Sequence, residues 1–172
     1  MLAQTLALGC QHTVGTTVGT ACSGTDSPIF ALEAMATALR LLGFSGTSPP
    51  THVFSCECDP AKQKWIEGMC SPLHLFTNIG ELGQDFAHDM FNYPMLSYVP
   101  PVTIFIAGFS CKSVSGLNLL RSTFKHACEV EEGETGITFS GVRKYLSSRR
   151  PNMFLLENVV GLRGQLDSVE SE

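Results

Sequence analysis

The chain has 172 residues, of which 44% are hydrophobic and 16% charged, enough to bury one core and too apolar for a disordered segment. Its formal net charge of −5 gives it no overall positive field for a polyanion, which counts against nucleic-acid binding by this stretch taken alone. No apolar run approaches the roughly 18 residues a membrane span needs, and residues 1–7 lack the basic start of a secretory signal, so a soluble intracellular protein is expected.

Apolar β-branched runs alternate with helical patterns along the chain, the signature of β-α units in a largely parallel sheet. A first strand over 16–22 runs into Ser23-Gly24-Thr25-Asp26-Ser27-Pro28, where Ser27 is expected to cap a helix and Pro28 to open it. That helix is expected to bury Leu32, Met35, Leu39 and Leu42, and Gly43 ends it. A second strand over 52–56 ends at Glu57-Cys58-Asp59-Pro60 and leads into a helix over 61–69, and a short third strand is read at 73–76. After Pro100 and Pro101, the run 102–107 reads as a strand buried on both faces. Gly108 ends it, and an irregular loop follows through Asn118. The acidic stretch 129–134 reads as a solvated loop, and Phe139, Val142 and Leu146 mark a helix ending at Arg149-Arg150-Pro151. A fifth buried strand over 153–156 delivers Glu157-Asn158 at its carboxyl end.

The seven cysteines are odd in number, scattered and without a C-x-x-C pair, so they read as reduced thiols rather than a disulfide framework or zinc knuckle. The five histidines have no metal-ligand spacing, and no metal is expected. Gly19 and Gly24 have the spacing of a phosphate-binding loop, but Thr25-Asp26 stands where Lys-Ser/Thr would be required, which excludes an ATPase of that kind. In a doubly wound sheet, ligands sit at the carboxyl ends of the strands, and the polar exceptions gather there. The loop after strand one can cradle a nucleotide-like ligand, or it is only a turn. Glu57 stands where an acid often meets ribose hydroxyls, and an ordinary loop acid is an equal reading. Cys111 puts a thiol in a polar loop directly after a strand, with Lys112 beside it to favour the thiolate, although a lone cysteine is more often a small core residue. Glu157 at the edge of a buried strand can hold a raised pKa and donate a proton, or merely cap a turn.

In this order, the segments from about 16 to 162 resemble the first six motifs of the cytosine carbon-5 DNA methyltransferase family. Ala107-Gly108-Phe109-Ser110-Cys111-Lys112-Ser113-Val114-Ser115 is similar to the family's G-F-P-C-Q-x-x-S loop, and Glu157-Asn158-Val159 matches its E-N-V, 46 residues on from Cys111 to Glu157. Ser-Cys-Glu-Cys-Asp at 55–59 resembles the ribose-binding segment, Thr77-Asn78-Ile79 the motif that touches adenine, and Thr135-Gly136-Ile137-Thr138-Phe139 the segment before the fifth strand.

The resemblance implies a Rossmann-like S-adenosylmethionine-dependent methyltransferase fold, α/β with a mostly parallel sheet. It implies Cys111 and Glu157 as the catalytic pair and S-adenosylmethionine as cofactor, held by Cys22, Ser23, Gly24, Thr25, Asp26, Glu57, Cys58, Asn78 and Ile79. Ser110, Lys112, Ser115 and Asn158 would meet the substrate, DNA. The chemistry implied is flipping of a cytosine, addition of the Cys111 thiolate to carbon 6 and methyl transfer to carbon 5.

The chain departs from the family at Thr20-Ala21-Cys22-Ser23-Gly24-Thr25-Asp26-Ser27, where D-L-F-x-G-x-G-G is usual, and in Ser110, Lys112 and Asn78 for proline, glutamine and aspartate. Nothing after 162 resembles the Q-x-R-x-R segment or a target-recognition region, so a partial catalytic domain over 16–162 is expected, between an extension 1–15 and a tail 163–172, with the sheet incomplete at its C-terminal end. An incomplete sheet would leave the fifth strand as an apolar edge. A catalytically silent interaction module and an RNA methyltransferase are the rival readings. With DNA as substrate, a eukaryotic host implies the nucleus and any other host the cytoplasm; no membrane partner is expected.

Overall fold

The computed structural model describes residues 15–124 and 126–162; the expected tail and nearly all of the expected N-terminal extension lie outside them. Five parallel strands form one sheet: β1 (Thr17–Ala21), β2 (Thr51–Cys56), β3 (His74–Phe76), β6 (Ile104–Ala107) and β7 (Met153–Leu156), in the order β3-β2-β1-β6-β7. These are the five strands expected from the apolar runs, and the architecture is the expected Rossmann-like α/β fold with a mostly parallel sheet.

Helix α1 (Ser27–Leu41) links β1 to β2, and α2 (Pro60–Met69) links β2 to β3. The chain then crosses back, and α3 (Ala127–Val130) and α4 (Gly133–Arg149) lie between β6 and β7. Right-handed crossovers running in opposite directions from β1 put α1 and α2 on one face and α4 on the other. The order therefore reverses between β1 and β6, whose register pairs Ala21 with Ala107 at the carboxyl ends. A ligand crevice is expected at that point.

The core under α4 is aromatic. Tyr145 stacks on Phe105 with centroids 4.4 Å apart and meets Phe54 edge-on at 5.5 Å, and its hydroxyl donates to the Pro100 carbonyl at 3.0 Å. Gly19 sits under the Phe54 ring where a Cβ has no room. Across the sheet, α1 buries Ile29, Ala36 and Leu39.

Several expectations change. Met35 and Leu42 are exposed, and the buried stripe of α1 starts from Ile29 and uses the small Ala36. Ser27 is already helical; the cap position is Asp26, with φ of 56° and no side-chain capping bond. The acidic stretch is not a solvated loop: α3 occupies part of it and α4 begins at Gly133, burying Thr135 and Gly136. That early start is possible because Gly136 packs directly against the Ala127 carbonyl. The run 102–107 is buried unevenly, with Phe105 and Ala107 enclosed and Ile104 and Ile106 half-buried.

The fifth strand is not buried. Among the described residues β7 lies at the edge of the sheet, and Met153, Phe154 and Leu155 on it are 61%, 56% and 60% exposed. An antiparallel pair, β4 (Phe86–His88) with β5 (Leu96–Tyr98), had no signal in the sequence beyond three residues each. No described helix is long and apolar enough to cross a membrane.

Candidate active site

A cleft of about 420 Å³ opens at the reversal point, within the size range of small-molecule and cofactor sites. The end of β1 contributes Cys22; the end of β2 contributes Cys56, Glu57, Cys58 and Asp59; the loop after β6 contributes Gly108 to Lys112; and the end of β7 contributes Glu157 and Val159. Lys62, Ile79, Glu134 and Thr138 complete the wall. Thus the thiol and carboxylate singled out in the sequence, Cys111 and Glu157, open on one cavity from neighbouring strands.

The Cys111 loop is fastened to the start of α4. The Ser110 amide donates to Thr138 Oγ1 at 3.1 Å, and the Ser113 amide donates to Thr135 Oγ1 at 3.1 Å. Asn118 donates back to the Lys112 and Ser113 carbonyls at 3.0 and 3.1 Å. Lys112 turns its ammonium to Glu134 at 2.8 Å, and that contact raises the lysine's pKa. The cation expected to serve the Cys111 thiolate is thus already paired with a carboxylate.

Sequence reasoning missed Glu134 and Thr138. Their spacing of four, one helical turn, was a usable signal, hidden because the acidic stretch was read as a loop.

Glu57 is only 5% exposed, and its carboxylate accepts three amide hydrogens: Gly24 at 2.8 Å on one oxygen, Cys58 at 2.9 Å and Asp59 at 3.0 Å on the other. It therefore closes the loop after β1 onto the end of β2. Gln63 donates to the Glu57 carbonyl at 2.6 Å and holds the same corner from α2.

Other expected cofactor residues shape the walls without lining them. Ser23 exchanges a hydroxyl contact with Thr20 at 2.7 Å and donates to the Cys56 carbonyl at 3.2 Å, and Thr25 is exposed. Asp26 points inward and is fully buried: Thr20 donates to it at 2.6 Å, Ser55 donates to its other oxygen, and His52 Nε2 lies 3.8 Å away. Burial raises the Asp26 pKa against those hydrogen bonds and lowers that of His52. The Asp26 side chain therefore braces the loop from beneath. Asn78 spends its side chain on the Gly80 amide at 2.9 Å and on Glu81 at 3.2 Å, which leaves only Ile79 of that pair on the cleft.

Of the expected substrate residues, Ser110 and Lys112 line the cleft. Ser115 closes a turn, its amide donating to the Cys111 carbonyl at 2.8 Å, and Asn158 donates to the Phe109 carbonyl at 2.9 Å. Glu157 is exposed, so the enclosure by a buried strand expected around it is absent among the described residues.

Four acidic residues, Glu57, Asp59, Glu134 and Glu157, and two lysines, Lys62 and Lys112, line the cleft, with Glu57 spent on backbone amides and Glu134 on Lys112. The balance suits a ligand with cationic character. Burial, with Glu57 and Cys58 nearby, pushes the Cys22 thiol up to about 12, and burial raises Cys56 well above the ordinary thiol value. Among the described residues no group of three or more His, Cys, Asp or Glu could hold a metal ion.

No family model matches the chain. It is 38% identical over 142 residues to the DNA (cytosine-5-)-methyltransferase DMT5 of Cryptococcus neoformans var. grubii, which covers 83% of this chain and 6% of that protein. It is 25% identical over 186 residues to the DNA (cytosine-5-)-methyltransferase DMT5 of Verticillium dahliae, covering 83% of this chain and 8% of that one. The chain thus spans less than a tenth of the length of either relative.

Proposed function

The chain belongs to the cytosine-5 methyltransferase family, and from that membership and the cleft we propose that it carries the N-terminal part of the catalytic domain of a DNA (cytosine-5-)-methyltransferase, with Cys111 as nucleophile and Glu157 as its acid partner. The observation that carries the reading is the opening of Cys111 and Glu157 onto one cavity at the point where the strand order reverses.

The residues present fit S-adenosylmethionine: the acidic wall suits a cation, Ile79 offers an apolar contact, and the backbone at Gly108 allows close approach. When bound, that cofactor supplies an electrophilic methyl group. Cys22 and Ile79 would border it, Glu57 and Cys58 would form the wall at the end of β2, and Gly24 would keep the loop after β1 closed on Glu57.

Cytosine carbon 5 is a weak nucleophile, so covalent addition divides one difficult step into two. The Cys111 thiolate adds to carbon 6 of a cytosine turned out of the duplex while Glu157 shares a proton with ring nitrogen 3. Carbon 5 then takes the methyl group, loses its proton, and expulsion of Cys111 restores the ring. Ser110 and Lys112 border the base, and Asn158 and Thr138 hold the nucleophile loop in place. A nuclear location follows from DNA as substrate in a eukaryotic host.

Calorimetry of the full-length protein with S-adenosylmethionine tests the cofactor assignment. Binding near micromolar affinity supports it. The second reading, a silent interaction module, is favoured by the inward turn of Asp26 and the amide-saturated Glu57, and absence of binding by folded protein would establish it over the first.

A further inference from the structure

Chain positions 22, 56, 58 and 111 are distant in sequence, yet all four cysteines line the same cleft, and all are free thiols. Their settings differ. Cys56 is buried at the base, and Cys58 is exposed at the far rim. Cys22 follows Ala21, whose register partner on the adjacent strand is Ala107, and Cys111 stands in the loop that leaves Ala107. Cys22 and the Gly108–Lys112 loop thus face each other across the β1 and β6 walls of the cleft.

Adjacent strands lie about 4.8 Å apart, and a disulfide needs Cα atoms within about 7 Å. Cys22 and Cys111 leave neighbouring strands, and a bridge between them requires the loop that begins at Gly108 to shift against its ties to Thr138 and Asn158. Cys58 leaves β2, two strand spacings from β6, and is the poorer partner.

We propose that Cys111 and Cys22 are a reversible oxidation site, in which a hydroperoxide links the two sulfurs and closes the cleft. The Cys111 thiolate attacks the terminal peroxide oxygen, the O–O bond breaks, and the alkoxide leaves and takes up a proton. Cys111 now carries a sulfenic acid. The Cys22 thiol loses its proton, its sulfur displaces the hydroxyl group of the sulfenic acid as water, and the S–S bond forms. In sum, two thiols and one hydroperoxide give one disulfide, one alcohol and one water. Burial of Cys22 keeps it in the thiol form until a neighbouring sulfenic acid is available, so the first oxidation falls on Cys111. The bridge would join the β1 wall to the nucleophile and exclude both ligands at once.

The proposal takes from the assigned function only the reactivity of Cys111, and its test reads sulfur connectivity rather than methyl transfer, so the two can fail separately. Full-length protein is treated with hydrogen peroxide, alkylated and digested, and its peptides are mapped by mass spectrometry. A Cys22–Cys111 linked peptide that dithiothreitol removes is the expected result. Cys22→Ser and Cys22→Ala should both abolish the link and drive Cys111 on to sulfinic acid, while Cys58→Ser leaves the link intact. A Cys58–Cys111 link, an unoxidised Cys111, or oxidised Cys111 with Cys22 still alkylated would overturn the proposal.

Discussion

The carboxamide of Asn158 donates to the carbonyl oxygen of Phe109 at 2.9 Å, fastening the segment that follows Glu157 to the loop that carries Cys111. The same side chain accepts from the Val159 amide at 2.9 Å. Asn158→Asp keeps the acceptor and loses the donor, so it isolates the tie to Phe109. Misplacement of a catalytic group by about 1 Å can cost about a hundredfold in rate. Asn158→Asp and Asn158→Ala should therefore lower turnover by roughly 10- to 100-fold, with little change in affinity for S-adenosylmethionine. Single-turnover kinetics beside calorimetry would separate the two effects.

Glu57 gathers the Gly24, Cys58 and Asp59 amides on one carboxylate. Glu57→Gln puts a donor where one of those amides also donates. Leaving buried amides unsatisfied costs about 1–3 kcal/mol. Denaturant unfolding should show a loss of that order, and calorimetry should show S-adenosylmethionine binding weakened at least tenfold because the loop after β1 is released.

Two glycines on α4 are fixed by close approach rather than by turns. A Cβ at Gly136 would strike the Ala127 carbonyl, and one at Gly141 would come within 2.8 Å of the Ile79 carbonyl. Forcing atoms into a packed site typically costs about 1–3 kcal/mol. Gly136→Ala and Gly141→Ala should each lower stability by that amount despite alanine's better helix propensity, with thermal melting as the readout.

Asp89 joins the β4–β5 pair to β3: it accepts from the Leu75 amide at 3.1 Å and the Phe91 amide at 3.1 Å, and it meets His74 Nδ1 at 2.8 Å. Burial pushes its pKa up, but His74, Ser97 and the two amides outweigh that and hold it below the ordinary value of 3.8. A depressed folded pKa means the stabilisation is present above 3.8 and is lost as pH falls through the folded value. Asp89→Asn should therefore be clearly less stable than the native chain at pH 7, and the gap should close as pH falls below 3.8 through the depressed folded value in denaturant titrations.

The five sheet strands were legible because apolar runs punctuated by glycine and proline leave few alternatives. The face of α1 was misplaced because Ala36, small and buried, gives a weaker signal than the exposed Met35 and Leu42. The start of α4 was hidden by its own acidic residues, and β4 and β5 are too short for a period to register. At the candidate site, the meeting of Cys111 and Glu157 on one cleft was legible from motif order, whereas the inward turn of Asp26 was not. That turn depends on Thr20 and Ser55, which reach it from two different strands.

The most direct test of the account is covalent trapping. Full-length protein, S-adenosylmethionine and a DNA duplex carrying 5-fluorocytosine are incubated, and the linked peptide is mapped. The account predicts a stable adduct through Cys111, absent in Cys111→Ser and strongly reduced in Glu157→Ala. A folded protein that binds S-adenosylmethionine yet forms no adduct, or forms one through another cysteine, would contradict it.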